Sequence, residues 1–142
     1  TSHPDVIFAG VQTGEALARH FASADLFVFP SVTETFGLVT LEAMASALPV
    51  VAFDLAAAHM HVRTGINGVL ALTGEDSHAA DFAFIAAAEA LVDSDLVALG
   101  KAARATAEQL SWESVASQFS GYIERQLDCP VGQIIAESKT MV

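Results

Sequence analysis

The chain has 142 residues, of which six are lysine or arginine and seventeen are aspartate or glutamate, giving a formal net charge of −11. This length suits one compact domain, and the charge weighs against nucleic acid or an anionic membrane surface as the main partner. Apolar residues make up 53% of the chain, but no apolar run reaches the ~18 residues of a membrane-spanning helix. The N-terminus has no signal-peptide pattern. Because the single cysteine, Cys129, excludes an internal disulfide, we expect a reducing, cytoplasmic location.

Short apolar runs alternate with segments of helical periodicity along most of the chain. The predicted elements, in chain order, are a strand at Val6–Ala9, a helix at Glu15–Ala22, a strand at Asp25–Phe29, a helix at Leu38–Ala47, a strand at Pro49–Phe53, a helix at Ala56–Arg63, a strand at Gly68–Leu72, and helices at Ser77–Val92, Asp95–Leu110 and Ser111–Leu127. Ser111 is the expected N-cap of the last helix. The tail Asp128–Val142 is left unassigned.

Strands that are apolar throughout and alternate with helices indicate a parallel sheet covered on both faces. We therefore predict an α/β fold with a partial Rossmann-like, doubly wound parallel sheet of about four strands. Ligands of such open sheets bind beyond the carboxyl ends of the strands. This rule points to the loops after Phe29, Phe53 and Leu72.

The most informative stretch, Pro30–Ala43, leaves a buried strand, crosses a polar loop and opens a helix at Gly37. A glycine at this point lets a ligand approach the backbone closely. The first amides of the helix, near Gly37, Leu38 and Val39, lack intrahelical partners. Together with the helix dipole, these amides predict a phosphate site.

Two carboxylates bracket these amides, Glu34 in the loop and Glu42 just over one turn into the helix. A carboxylate is a poor neighbour for phosphate, but it accepts hydrogen bonds well from a vicinal diol. The pattern therefore predicts a phosphate flanked by two polyols, which describes a nucleotide sugar. Taken singly, either acid could be a solvated surface residue, and Glu34 could instead support the start of the helix. The combination of a strand, a loop with Glu34, a helix start at Gly37 and a second acid at Glu42 is more specific than either acid alone.

The spacing of Glu34 and Glu42, with Phe36 and Gly37 between them and Ala43 following, resembles the signature of the retaining group 1 (family 4) glycosyltransferases of the GT-B fold. Further segments that resemble this family are Ala22–Ser31, Ala45–Ala52, Gly65–Leu70 and Ser111–Glu113. The resemblance covers about Val6–Leu127. It implies that residues 1–127 are part of the C-terminal, nucleotide-sugar-binding domain, without the N-terminal acceptor domain.

The family resemblance implies a role for each matching residue. Glu34 would be catalytic and contact hydroxyls of the donor sugar, and Glu42 would bind the ribose. Backbone amides at Phe36, Gly37, Leu38 and Val39 would contact the sugar and the diphosphate. The implied reaction transfers a glycosyl group from a nucleotide diphosphate sugar to an acceptor with retention of configuration, and it needs no metal or other cofactor. The implied setting is carbohydrate biosynthesis, for example of cell-surface glycans, by a cytoplasmic enzyme whose full-length form could lie peripherally on the membrane.

Several departures from the family pattern limit these implications. Ala47 stands where the family has glycine, which we expect to affect helix–strand packing, and Ala56–Ala58 replaces a commoner glycine pair. The arginine and lysine that hold the diphosphate early in the family's donor domain have no counterpart. We therefore expect a piece that is inactive alone, with an incomplete sheet. Its exposed edge would invite pairing, such as a homodimer, although the net charge opposes association.

Two alternatives remain open at this point. The first is a non-catalytic module that binds or senses a nucleotide sugar. The second is an assembly module that kept the fold and lost the ligand. A metal site at His59 and His61 is not favoured, because residues two apart on a helix diverge by ~200°.

Overall fold

The computed structural model describes residues 3–33, 37–74 and 77–127, and the chain divides into two compact units, Thr1–Ala107 and Glu108–Val142. The elements, in chain order, are α1 Gly14–Ser23, β1 Phe27–Phe29, α2 Leu38–Ala45, β2 Val50–Phe53, α3 Ala56–His61, β3 Gly68–Ala71, α4 Ser77–Val92, α5 Leu96–Glu108 and α6 Trp112–Leu127. The unassigned tail, residues 128–142, lies outside the described residues.

The strands of the first unit form one parallel sheet in the order β1-β2-β3. Phe27 is in register with Val50, and Val50 with Gly68. Every residue of the central strand β2 is buried, because the strand has a neighbour on each side and helices above and below. The order of the chain along the sheet confirms the predicted parallel α/β architecture.

The alternating residues of β2 pack against helices on opposite faces of the sheet. On one face, Val50 and Ala52 join a core with Met44 of α2 and Ala58 of α3. On the other face, Val51 and Phe53 pack against α4, where the Phe53 and Phe84 ring centroids lie 4.8 Å apart. The prediction of helices on both faces is confirmed.

The predicted strand at Val6–Ala9 is wrong. These residues form no strand, and the side chains of Val6, Ile7 and Phe8 are 53%, 89% and 82% exposed. Among the residues that the structure describes, the sheet accordingly has three strands, not about four. An apolar run indicates that a segment can be buried in a sheet, but not that a neighbouring strand is there to receive it. β1 is left at an edge of the sheet, as expected.

Two alanines adopt left-handed backbone conformations, Ala47 with φ of 61° and Ala56 with φ of 44°. Ala47 stands where the family resemblance places glycine, and Ala56 lies in the stretch that replaces the family's glycine pair. A left-handed conformation costs a residue with a Cβ roughly 1–2 kcal/mol, so the glycine at position 47 would serve the backbone as well as the packing. The left-handed conformation of Ala47 also explains why α2 ends at Ala45 and does not continue to Ala47.

The buried amide of Asn67 joins the turn between α3 and β3 to α5. Its Oδ1 accepts a hydrogen bond from the Arg63 N–H at 2.6 Å, and its Nδ2 donates to the His61 carbonyl at 3.0 Å and to Thr106 Oγ1 at 3.1 Å. A buried amide with these partners has its desolvation offset, so Asn67 fixes the path of the chain into β3.

The described part of the second unit, residues 108–127, consists mainly of the helix α6. Ser111 is its N-cap, as predicted, because Ser111 Oγ accepts a hydrogen bond from the Ser114 N–H at 3.2 Å. Among the residues that the structure describes, no helix is long and apolar enough to cross a membrane.

Candidate functional site

Gly37 begins α2 in a conformation that few other residues could adopt. As the N-cap it has φ of 64° and ψ of 26°, in the left-handed region that favours glycine. A Cβ added at Gly37 would overlap the Cβ of Ala57 on α3. The Gly37 carbonyl accepts a hydrogen bond from the Leu41 N–H at 3.0 Å, which closes the first turn. Backbone conformation and the close approach of α3 therefore both require a residue without a side chain.

The first turn of α2 presents unpaired backbone donors. The helix has no side-chain cap and no acidic residue in its first turn. Within the described ranges, the N–H groups of Leu38 and Val39 make no hydrogen bond. The side chain of Leu38 is 59% exposed, so a ligand can reach this end of the helix. Free N–H groups at the positive end of a helix dipole form a site for an anion.

Glu42 follows Leu38 by one helical turn, a rise of ~6 Å along the axis. Its side chain is exposed, and among the described residues its carboxylate has no hydrogen bond or ion pair. Glu42 lines a cleft of about 340 Å³, which lies at the lower end of the range for small-molecule pockets. The other residues that line this cleft, on α1 and at the end of α2, are Gly14, Leu17, Ala18, Phe21, Ala45 and Ser46.

The start of α2 brings together four of the residues singled out from the sequence: Gly37, Leu38, Val39 and Glu42. Glu34 and Phe36 lie outside the described residues. The roles suggested for Glu34 and Phe36 therefore stay predictions.

A larger cavity of about 700 Å³ lies at the carboxyl ends of the strands. Pro30 follows β1, Leu55 follows β2, and Thr73 and Gly74 follow β3, so the three loops indicated by the sequence do meet here. That α4 forms a wall of this cavity was not predicted from the sequence. The sequence did carry a signal for this wall, because residues that are four positions apart in a predicted helix lie on the same face of it. The lining residues of α4 are Ser77, Ala80, Asp81, Phe84 and Ile85.

Basic groups are scarce around both cavities. No lysine or arginine is among the described residues that line them, and Arg19 pairs with Glu15 at 2.8 Å. On α3, His59 Nδ1 lies 2.6 Å from Asp54 Oδ1, and burial lowers the pKa of His61 below its ordinary value of 6.5. In the part of the chain that the structure describes, no three side chains of His, Cys, Asp or Glu are grouped to hold a metal.

A parallel sheet flanked by helices defines an α/β fold of the open-sheet type, in which ligands bind beyond the carboxyl ends of the strands. Residues 1–94 match the family described as "Glycosyl transferases group 1". The chain therefore belongs to the group 1 glycosyltransferases, and its structural neighbours are glycosyltransferases with the GT-B fold.

Relatives share the fold over most of this chain. It is 43% identical over 99 residues to a D-inositol 3-phosphate glycosyltransferase of Geodermatophilus obscurus, a match that covers 70% of this chain and 21% of the relative. It is 34% identical to sucrose-phosphate synthase of Thermosynechococcus elongatus, with a TM-score of 0.62, over 78% of this chain and 27% of that one. At 20% identity, the likeness to a pneumococcal O-GlcNAc transferase in complex with UDP and GlcNAc shows the fold alone (TM-score 0.65, covering 80% of this chain and 23% of that one). The chain thus spans roughly a quarter of the length of these relatives.

Proposed function

We propose that this chain forms the donor-binding part of a retaining glycosyltransferase, which transfers a glycosyl group from a nucleotide diphosphate sugar to an acceptor. The observation that carries the proposal is the start of α2. There, the N–H groups of Leu38 and Val39 follow the left-handed Gly37 and make no hydrogen bond in the described part of the chain. The carboxylate of Glu42 lies one turn further along the helix, beside a cleft.

In this proposal, each part of the donor meets a group of matching chemistry. The diphosphate accepts hydrogen bonds from the amides of Leu38 and Val39 and gains from the helix dipole. The carboxylate of Glu42 accepts hydrogen bonds from the two ribose hydroxyls. Glu34 contacts hydroxyls of the donor sugar and is the catalytic group, and the backbone at Phe36 lies against the sugar.

Transfer breaks the bond between the anomeric carbon of the sugar and the diphosphate oxygen. A bond to the acceptor oxygen forms on the same face of the sugar, and the proton of the acceptor hydroxyl passes to the departing diphosphate. Negative charge grows on the leaving diphosphate, where preorganised amides stabilise it most. No metal ion or other cofactor is part of the proposal.

The proposed partners are a nucleotide sugar as the donor and a second domain that holds the acceptor. The complex of the pneumococcal relative with UDP and GlcNAc supports a nucleotide sugar as the donor. The acceptor would be held by a second, N-terminal domain, since the relatives are about three times as long as this chain. A role in cell-surface glycan synthesis, a cytoplasmic location, peripheral membrane association of the full-length enzyme, and a homodimer through the exposed sheet edge belong to the same proposal.

Calorimetric titration of the chain with UDP, GDP and ADP tests the proposal. We expect saturable binding of one nucleotide. Glu42→Gln should weaken binding about 10- to 100-fold, because hydrogen bonds to a charged group contribute about 1.5–3 kcal/mol. Glu89→Gln is the matched control, since Glu89 is an exposed glutamate on α4 outside the proposed site. A folded chain that binds no nucleotide, or equal binding by Glu42→Gln and the parent, would contradict the proposal.

A non-catalytic nucleotide-sugar-binding module is the second candidate. The lack of lysine and arginine among the described residues lining either cavity favours it, because a leaving diphosphate is commonly stabilised by cationic side chains. The full-length protein distinguishes the two candidates. Release of free nucleotide from the donor in the presence of acceptor supports the enzyme, whereas binding without release supports the module.

A further inference from the structure

Ala56, the first residue of α3, carries a side chain that its own backbone conformation disfavours. Its φ of 44° lies in the left-handed region, where a Cβ raises the free energy and glycine does not. The methyl group makes no compensating contact with the core, because Ala56 is exposed and belongs to none of the buried clusters of the described residues. Glycine at position 56 would therefore make the folded chain more stable. A residue kept in a strained conformation points to a function that needs it.

The position of Ala56 is next to both ends of the loop that joins β1 to α2. Before it, Leu55 lines the larger cavity together with Val32, near the start of that loop. After it, the Cβ of Ala57 occupies the space in which a Cβ on Gly37 would lie, at the end of the same loop. Ala56 thus lies beside the connection that leads into the start of α2.

The three alanines that open α3 differ in what their side chains contact. Ala57 packs against Gly37 and is 4% exposed, and Ala58 lies in the core and is 6% exposed. Ala56 is the exposed member of the three. Leu38, which follows Gly37, is exposed as well, so the space beside the start of α2 is open and the methyl group of Ala56 borders it.

We propose that Ala56 determines donor specificity, because its methyl group limits the size of the sugar that fits beside the start of α2. This inference rests on the proposed function, in which the sugar and the diphosphate lie against that start. The site accepts a nucleotide diphosphate sugar with a compact hexose, such as glucose, and discriminates against one with a bulky ring substituent, such as an N-acetyl group. A difference of one methylene in a binding pocket discriminates between ligands by about 10- to 200-fold.

Calorimetric titration of the parent chain and Ala56→Gly with three ligands tests this inference. The ligands are the nucleoside diphosphate that the chain binds among UDP, GDP and ADP, its glucose conjugate and its N-acetylglucosamine conjugate. In the parent, the N-acetylglucosamine conjugate should bind at least about 10-fold more weakly than the glucose conjugate. In Ala56→Gly this ratio should shrink about 10-fold, whereas the dissociation constant of the free diphosphate, which has no sugar to meet the methyl group, should stay the same.

Ala47→Gly is the matched control, because it makes the same exchange at a second left-handed alanine, with φ of 61°. Ala47 follows the other end of α2 and lines a cleft with Asp25 and Lys101, away from the proposed site. Both exchanges relieve left-handed strain and should raise the melting temperature by roughly 2–4 °C. Only Ala56→Gly should change the ratio between the two sugar conjugates, so the control separates specificity from stability.

Ala56→Asn extends the test in the opposite direction. Asparagine tolerates the left-handed region better than most residues, and its side chain fills more of the space beside the start of α2. This variant should bind the glucose conjugate about 10-fold more weakly than the parent does, with the affinity for the free diphosphate retained. It also provides an independent measurement if Ala56→Gly does not fold.

The outcomes separate this inference from the proposed function. Equal binding of the two sugar conjugates by the parent overturns the inference, as does a ratio that Ala56→Gly leaves unchanged or that Ala47→Gly changes equally. In each of these cases, binding of the free diphosphate keeps the proposed function. A folded chain that binds none of the three diphosphates contradicts the proposed function, and this inference with it.

Discussion

Gly37→Ala should destabilise the first unit strongly, for two separable reasons. Holding alanine at the observed left-handed φ of 64° costs roughly 1–2 kcal/mol. The new Cβ overlaps that of Ala57, and overpacking of this kind costs roughly 1–3 kcal/mol. The lower entropy of the unfolded chain offsets about 0.4–1 kcal/mol. The free energy of unfolding should therefore fall by about 3 kcal/mol.

A double-mutant cycle with Ala57→Gly separates the overlap from the backbone strain. Alone, Ala57→Gly should cost about 1 kcal/mol, the usual penalty of glycine in a helix. Combined with Gly37→Ala, it removes the overlap and should recover about 1–3 kcal/mol relative to additivity. Urea denaturation followed by far-UV circular dichroism measures all four proteins. A loss below about 0.5 kcal/mol for Gly37→Ala, or additive costs in the double variant, would refute this reasoning.

Three further predictions concern single residues. Ala47→Gly should stabilise the chain by up to about 1 kcal/mol in urea denaturation, because relief of the left-handed strain at φ of 61° exceeds the entropic cost of glycine; a loss of stability would contradict this. Thr40→Val should also stabilise, by about 1 kcal/mol, since Thr40 Oγ1 is buried without a hydrogen-bond partner; a lower melting temperature would mean that the hydroxyl has an unrecognised role. Burial lowers the pKa of His61 from 6.5, so the unfolded state binds the proton more tightly and stability falls as the pH drops through 6.5. His61→Gln should lessen this acid destabilisation, and an unchanged pH profile would assign it to other groups.

Local patterns were sufficient for most of the fold. α4 has the predicted bounds, Ser77–Val92, and β2 differs from its prediction only at Pro49, because both elements satisfy their periodicity within one buried environment. The strand predicted at Val6–Ala9 failed because strand formation depends on a neighbour that an apolar run does not reveal. The left-handed conformation of Ala47 was also hidden from residue-level reasoning, since alanine is an excellent helix former.

The candidate site was partly predictable because it is contiguous in sequence. Gly37, Leu38, Val39 and Glu42 lie on one short helix start, so spacing alone places them together. The clefts were harder to predict from the sequence. That Glu42 faces α1 across a cleft depends on how two helices pack, and helix packing is set by side chains distant in sequence.

The start of α2 is the proposed nucleotide site, and a titration followed by NMR tests this directly. Amide shifts of a labelled chain are recorded as the nucleotide identified by calorimetry is added. The largest changes should fall at Leu38, Val39 and Glu42 and saturate with one dissociation constant. At an equal nucleotide concentration that half-saturates the parent, the changes at Leu38 and Val39 should be much smaller in Glu42→Gln. Changes confined to the α4 side of the sheet, or no change at the start of α2 under saturation, would contradict it.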